Sequence, residues 1–128
     1  MELGLSLQLI QISDPHLYAG EETCLAGMNT LHSLHCVTEL IHQHHQQADY
    51  MLVSGDLSQD GSVASYQHLQ HALERFNCKV VWFEGNHDNP ASMQQVAVAA
   101  GYLQRIVRAG NWQLILLNSQ VEGAVFGH

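Results

Sequence analysis

The stretch Val80-Val81-Trp82-Phe83-Glu84-Gly85-Asn86-His87-Asp88 carries an apolar run directly into turn-forming and polar residues. Val80 to Phe83 reads as a buried strand. Gly85 to Asp88 then falls beyond its carboxyl end, where open α/β sheets place their ligands. Working outward, the same arrangement occurs twice upstream: Leu7 to Ser13 runs into Asp14-Pro15-His16, and Tyr50 to Ser54 runs into Gly55-Asp56. Three strands ending in this way would bring carboxylate, imidazole and amide donors together at one sheet edge, which makes that edge the candidate active site.

The segments between these strands have helical periodicity. From about Thr23 to Gln47, Leu31, Leu34, Val37, Leu40 and Ile41 recur at three and four residues, the spacing of one helical face. Ser62 is placed to cap a second helix traced by Val63, Tyr66, Leu69, Leu73 and Phe76. Asn89-Pro90 supplies a cap and a first-turn proline for a third, from Ala91 to Ala100, ended by Gly101. Residues 5–13 form the first strand, and Pro15 stops its ladder because it has no backbone donor. Gln104 to Arg108 and Trp112 to Asn118 flank Ala109-Gly110-Asn111 and read as a hairpin.

The predicted class is therefore α/β, in the order β-α-β-α-β-α-β-β, and right-handed crossovers would make the first three strands parallel neighbours. The final residues, Gln120 to His128, contain Gly123 and Gly127 and no terminating helix. These helices are too few to cover both faces of a five-stranded sheet, so the single domain is expected to be cut short. An unfinished sheet exposes an edge and apolar faces, which favours self-association and would allow a homodimer.

Composition narrows the function. The 128 residues are 46% hydrophobic, and 12 acidic against 4 basic residues give a formal charge of -8. Arg75, Lys79, Arg105 and Arg108 form no basic run, which argues against a nucleic-acid groove. Clustered carboxylates repel one another unless a cation lies between them. Cys24, Cys36 and Cys78 are odd in number and lack a repeated short spacing, so reduced thiols and a cytoplasmic setting are expected. The amino terminus lacks a signal-peptide pattern, and no apolar run approaches the ~20 residues that span a bilayer. A soluble protein without a membrane partner is expected.

Asp14 and His16, two apart on an extended segment, share a face. With Asp56 and Asn86 they form a nitrogen and oxygen donor set suited to Mn²⁺, Fe or Zn²⁺ and poor for copper(I). Two ions ~3.5–4 Å apart can clamp a phosphate and ionise a water, so the chemistry indicated is metal-assisted phosphate-ester hydrolysis.

Ser13-Asp14-Pro15-His16-Leu17, Gly55-Asp56-Leu57-Ser58-Gln59-Asp60-Gly61 and Gly85-Asn86-His87-Asp88 resemble the first three signature blocks of the calcineurin-like metallophosphoesterases. Within that superfamily these blocks, Tyr66 and the late Leu116-Leu117-Asn118-Ser119-Gln120-Val121 are most similar to bacterial class III 3′,5′-cyclic nucleotide phosphodiesterases. The resemblance implies the amino-terminal half of an α/β/β/α sandwich, and two divalent ions, Mn²⁺ or Fe²⁺ ahead of Zn²⁺ or Mg²⁺. It implies that Asp14 and His16 bind one ion, Asp56 bridges both and Asn86 binds the second. His87, with Asn86, would touch the substrate phosphate and protonate the departing sugar oxygen, with Asp88 orienting its ring. A metal-bound hydroxide would attack phosphorus in cyclic AMP or a related phosphodiester.

This sequence departs from the family where further metal histidines from a histidine-rich strand end and a Gly-His-x-His block would follow. Gly127-His128 comes too early to be that block. The other reading is therefore an incompetent half-domain that binds metal or phosphate and self-associates. Taken singly, Asp14, His16, Asp56, Asn86 and His87 could all be turn residues; in order after three strands they form a set. Asp60 reads as a turn residue, and Asp88 reads either as the partner of His87 or as a helix-capping acid. His32, His35, His42, His44, His45, His68 and His71 read as helix surface, although His32 and Cys36 share a face. The 128 residues alone are expected to hydrolyse bis-p-nitrophenyl phosphate or cyclic AMP far more slowly than a longer form, and equal turnover with Mn²⁺ added would refute this.

Overall fold

A computed structural model of the chain describes residues 7–45, 47–104, 106–109 and 112–115. In chain order its elements are β1 (Leu9–Ser13), β2 (Cys24–Leu25), β3 (Met28–Asn29), α1 (Thr30–His44), β4 (Tyr50–Ser54), α2 (Val63–Leu73), β5 (Lys79–Phe83), α3 (Pro90–Ala100), β6 (Ile106–Ala109) and β7 (Trp112–Ile115). The three strands that precede the polar blocks are parallel neighbours in the order β1-β4-β5. Ile12 stands opposite Val53, and Val53 opposite Trp82. That register brings Ser13, Ser54 and Phe83 level, so the three chains leave the sheet side by side.

Alternation along the strands decides which face is covered. Ile12, Met51, Val53, Val80 and Trp82 form one buried cluster with Leu34 and Ile41 of α1, Tyr66, Leu69 and Leu73 of α2, and Met93, Val96 and Ala97 of α3. The alternate residues Leu9, Leu52 and Phe83 keep part of their surface exposed. Helices on one face follow from the strand order, because successive right-handed crossovers advancing in one direction place their helices on the same side.

The first helix begins later than its periodicity suggested. Residues 24–29 form a two-residue hairpin instead, with Ala26 and Gly27 both at positive φ, 52° and 82°. Such a turn matches the twist of the flanking strands. Asn29 then caps α1, its side chain accepting from the His32 amide. The buried stripe of α1 is Thr30, Leu34, Thr38 and Ile41, whereas Val37 and Leu40 are exposed. The apolar face of this helix is wider than the surface it packs on, so its outer flank lies beside the edge of β1.

The later caps match their sequence signals. Ser62 caps α2 and Asn89 caps α3, the latter accepting from both Ala91 and Ser92 amides, with Pro90 in the first turn. Gly101 closes α3 in the left-handed region at φ 76°. The next residue, Tyr102, lies beside β5: its carbonyl accepts from the Trp82 amide, and its ring lies 4.8 Å from that of Trp82. β6 and β7 pair antiparallel as the predicted hairpin. Among the described residues no ladder joins them to the three-stranded sheet, so a five-stranded sheet is not what the described residues form. α1 ends at His44, short of the expected Gln47. The expected strand start before Leu7, Gln46, the hairpin positions Arg105 and 116–118, and the tail with Gly127-His128 lie outside the described residues.

Gly101→Ala should lower stability by about 1 kcal/mol, since an L side chain is strained in the left-handed region. The expected reading is a lower urea midpoint with an unchanged slope.

Candidate active site

Beyond β1 and β4 the two loops run alongside each other as a continuation of the sheet. The Asp14 amide donates to the carbonyls of Ser54 and Gly55, His16 to Asp56, and Leu17 to Leu57, and the Gln59 amide donates back to Leu17. Pro15 interrupts this pairing without ending it, for a bridge resumes at Leu17 and Ser58. In this stretch Asp14, His16 and Asp56 all take positive φ, at 54°, 49° and 29°. Non-glycine residues held there are strained, and the surrounding hydrogen bonds must over-determine them.

The strain turns three donors toward a common point. One ligand atom each from Asp14, His16 and Asp56 lies within 4.8 Å of the others. His16 Nε2 stands 3.8 Å from Asp14 Oδ1 and 3.9 Å from Asp56 Oδ2. Bonds of about 2.0–2.2 Å to a shared ion would require only a modest contraction of this set. Two carboxylates facing one imidazole nitrogen, too far apart to bond directly, suit a cation between them, so the residues fit a divalent ion. The nitrogen and oxygen donors favour a hard or borderline ion.

The third block closes over the second. A Cβ at Gly85 would collide with the Asp56 backbone nitrogen and Oδ1, so only glycine lets the chain pass. The following turn brings the His87 amide to Asp56 Oδ1 at 2.8 Å, leaving Oδ2 toward His16. The rings of His87 and His16 meet edge to face with centroids 5.8 Å apart. His87 and Asn86 are both exposed on this turn, beside the three-residue set.

Asp88, expected to orient His87, has four donors of its own. It is only 5% exposed and accepts four hydrogen bonds: at Oδ1 from the Ser58 amide (2.8 Å) and the Tyr66 hydroxyl (2.7 Å), and at Oδ2 from the amides of Leu57 (3.0 Å) and Gly85 (2.7 Å). Asp88 thereby ties the second block to the third. Burial raises its carboxyl above the usual range, opposed by the four donors. Burial likewise pushes the Tyr66 phenol up, reinforced by the charge of Asp88, so it remains a donor.

Asp60 behaves as the turn residue foreseen. Its Oδ1 accepts from the Ser62 amide and hydroxyl and from Ser58, and its Oδ2 from the Ala19 amide. Burial alone would raise its carboxyl, but these bonds outweigh it and hold it below the usual range. The residue whose part sequence reasoning missed is Gln59, whose Oε1 lies 2.6 Å from His16 Nδ1. Its position three residues after Asp56 was the only available signal. Glu84, ahead of Gly85, is buried at 6% exposure. His32 and Cys36 are exposed, one helical turn apart with Nε2 and Sγ at 3.6 Å, and belong to no three-donor group among the described residues.

The family model for calcineurin-like phosphoesterases matches residues 7–128, and the chain belongs to that family. Its βαβαβα order is that of the amino-terminal half of the family's fold. Among curated proteins, the chain is 40% identical to the 3′,5′-cyclic adenosine monophosphate phosphodiesterase CpdA of Pseudomonas aeruginosa, over 96% of this chain and 45% of that protein. It is 37% identical to the corresponding protein of Escherichia coli, over 94% and 45%. It is 36% identical to a 3′,5′-cyclic-nucleotide phosphodiesterase of Nostoc sp., over 100% and 48%. The chain thus spans somewhat less than half the length of these relatives.

Tyr66→Phe should cost about 1–3 kcal/mol, because it removes one donor to Asp88 and leaves the Asn89 amide, which donates to the Tyr66 hydroxyl, without an acceptor. Asp88→Asn should cost more, since an amide NH₂ would face backbone donors, and the order of the two losses in urea unfolding checks the assignment.

Proposed function

We propose that the full-length protein is a metal-dependent phosphodiesterase that hydrolyses cyclic AMP or a related 3′,5′-cyclic nucleotide. The observation that carries the reading is the convergence of Asp14, His16 and Asp56 donors within 4.8 Å at the ends of two parallel strands. The cyclic-nucleotide phosphodiesterases named above, similar across nearly all of this chain, support the substrate class. Two divalent cations, Mn²⁺ or Fe²⁺ before Zn²⁺ or Mg²⁺, would supply the charge that grips the phosphate and ionises a water. Asp14 and His16 would hold one ion, Asp56 would contribute to both, and Asn86 would serve the second ion and the phosphate.

His87 protonates the departing sugar oxygen as water adds to phosphorus and the ester bond breaks. Its place supports this: the main chain is pinned to Asp56 while the imidazole remains exposed beside His16. An imidazole can carry the proton near neutral pH. A cytoplasmic setting belongs to the same reading and is supported by Cys24, Cys36 and Cys78 being free. Among the described residues no helix is long and apolar enough to cross a membrane.

The β1 edge favours a second reading for the 128 residues by themselves. A groove of about 520 Å³ lies along Gln8 to Ser13, bordered by Val37, Ile41 and His45. On this reading a second copy of the chain lays its own β1 there and forms a homodimer. Light scattering should show a mass that rises with concentration; a monomer throughout refutes it.

In the full-length protein, chelation should abolish cyclic AMP hydrolysis and Mn²⁺ should restore it. His87→Ala should lower kcat by about 10²- to 10⁴-fold with Mn²⁺ affinity retained. Unchanged turnover after Asp56→Asn would sink the reading.

A further inference from the structure

We infer that Gln59 is a positioning residue that selects the tautomer of His16 and thereby aims Nε2 into the donor set; this rests on the reading of Asp14, His16 and Asp56 as a cation site. Gln59 Oε1 can only accept, so at 2.6 Å from His16 Nδ1 it requires the ring hydrogen to be on Nδ1. A neutral imidazole protonated there presents a lone pair at Nε2. The oxygens facing Nε2, Asp14 Oδ1 at 3.8 Å and Asp56 Oδ2 at 3.9 Å, are beyond hydrogen-bond range and do not compete for that hydrogen. One side of the ring is thus committed to Gln59, and the other is kept free for an ion.

Gln59 is itself well placed for this task. Its amide donates to the Leu17 carbonyl at 2.8 Å, which fixes it opposite the residue that follows His16. The two residues before it, Leu57 and Ser58, are buried with their amides on Asp88. Partners of this kind fix ring orientation, and their loss typically weakens metal binding by about 10- to 100-fold.

The test uses the full-length protein with Mn²⁺ as the probe. Gln59→Leu should weaken Mn²⁺ binding by calorimetry about 10- to 100-fold. Nitrogen NMR of the metal-free protein, recorded where the ring is neutral, should show the His16 hydrogen on Nδ1 in the wild type and moving toward Nε2 in Gln59→Leu. Gln59→Glu, which still offers an acceptor, should restore both readouts while urea midpoints of the two variants agree. Unchanged affinity and tautomer in Gln59→Leu would overturn the inference alone. A wild type that binds no Mn²⁺ would instead overturn the cation site and the inference with it.

Discussion

The buried carboxylate of Asp88 is the constraint on which the site depends. It receives amides from the second block at Leu57 and Ser58, an amide from the third at Gly85, and the Tyr66 hydroxyl from α2. Loop backbones that leave a sheet have lost their ladder partners, and buried amides must find acceptors elsewhere. One carboxylate meets that need for several of them at once. It therefore determines how closely the third block approaches the second, and Gly85 permits that approach because it has no Cβ to collide with Asp56.

Strain and support meet at the same residues. Asp14, His16 and Asp56 take a backbone region that costs non-glycine residues of order 1–3 kcal/mol each. The paired run from Asp14 to Gln59 supplies the hydrogen bonds that hold them there. Ala26 is the other non-glycine residue with positive φ among those described, and a two-residue hairpin requires it. Elsewhere on the site edge the strain coincides with the donors, as expected where geometry is kept for function rather than for stability.

Much of this was legible beforehand because it depends on local chemistry. The apolar runs before each polar block, the caps at Ser62 and Asn89, and the glycine after Ala100 act within a few residues, and each corresponds to an observed element. The hairpin at Cys24 to Asn29 was obscured by a helical spacing that continued through it. The stripe of α1 was read too wide, because periodicity reports which residues are apolar and not how much surface lies opposite them. Val37 and Leu40 are apolar and exposed for that reason.

By itself, the sequence determined the three strand-ended blocks, their order and the donor types they carry, since those follow from composition and short-range pattern. Only the tertiary structure decided which side chains turn inward. Asp88 and His87 are adjacent in the chain, yet one is buried against three segments and the other stands exposed beside His16. Gln59 and His16 are far apart in the chain and meet at 2.6 Å. The physical reason is that a side chain's partner is set by the register of neighbouring strands and the path of the loops leaving them, a long-range property that no local pattern encodes.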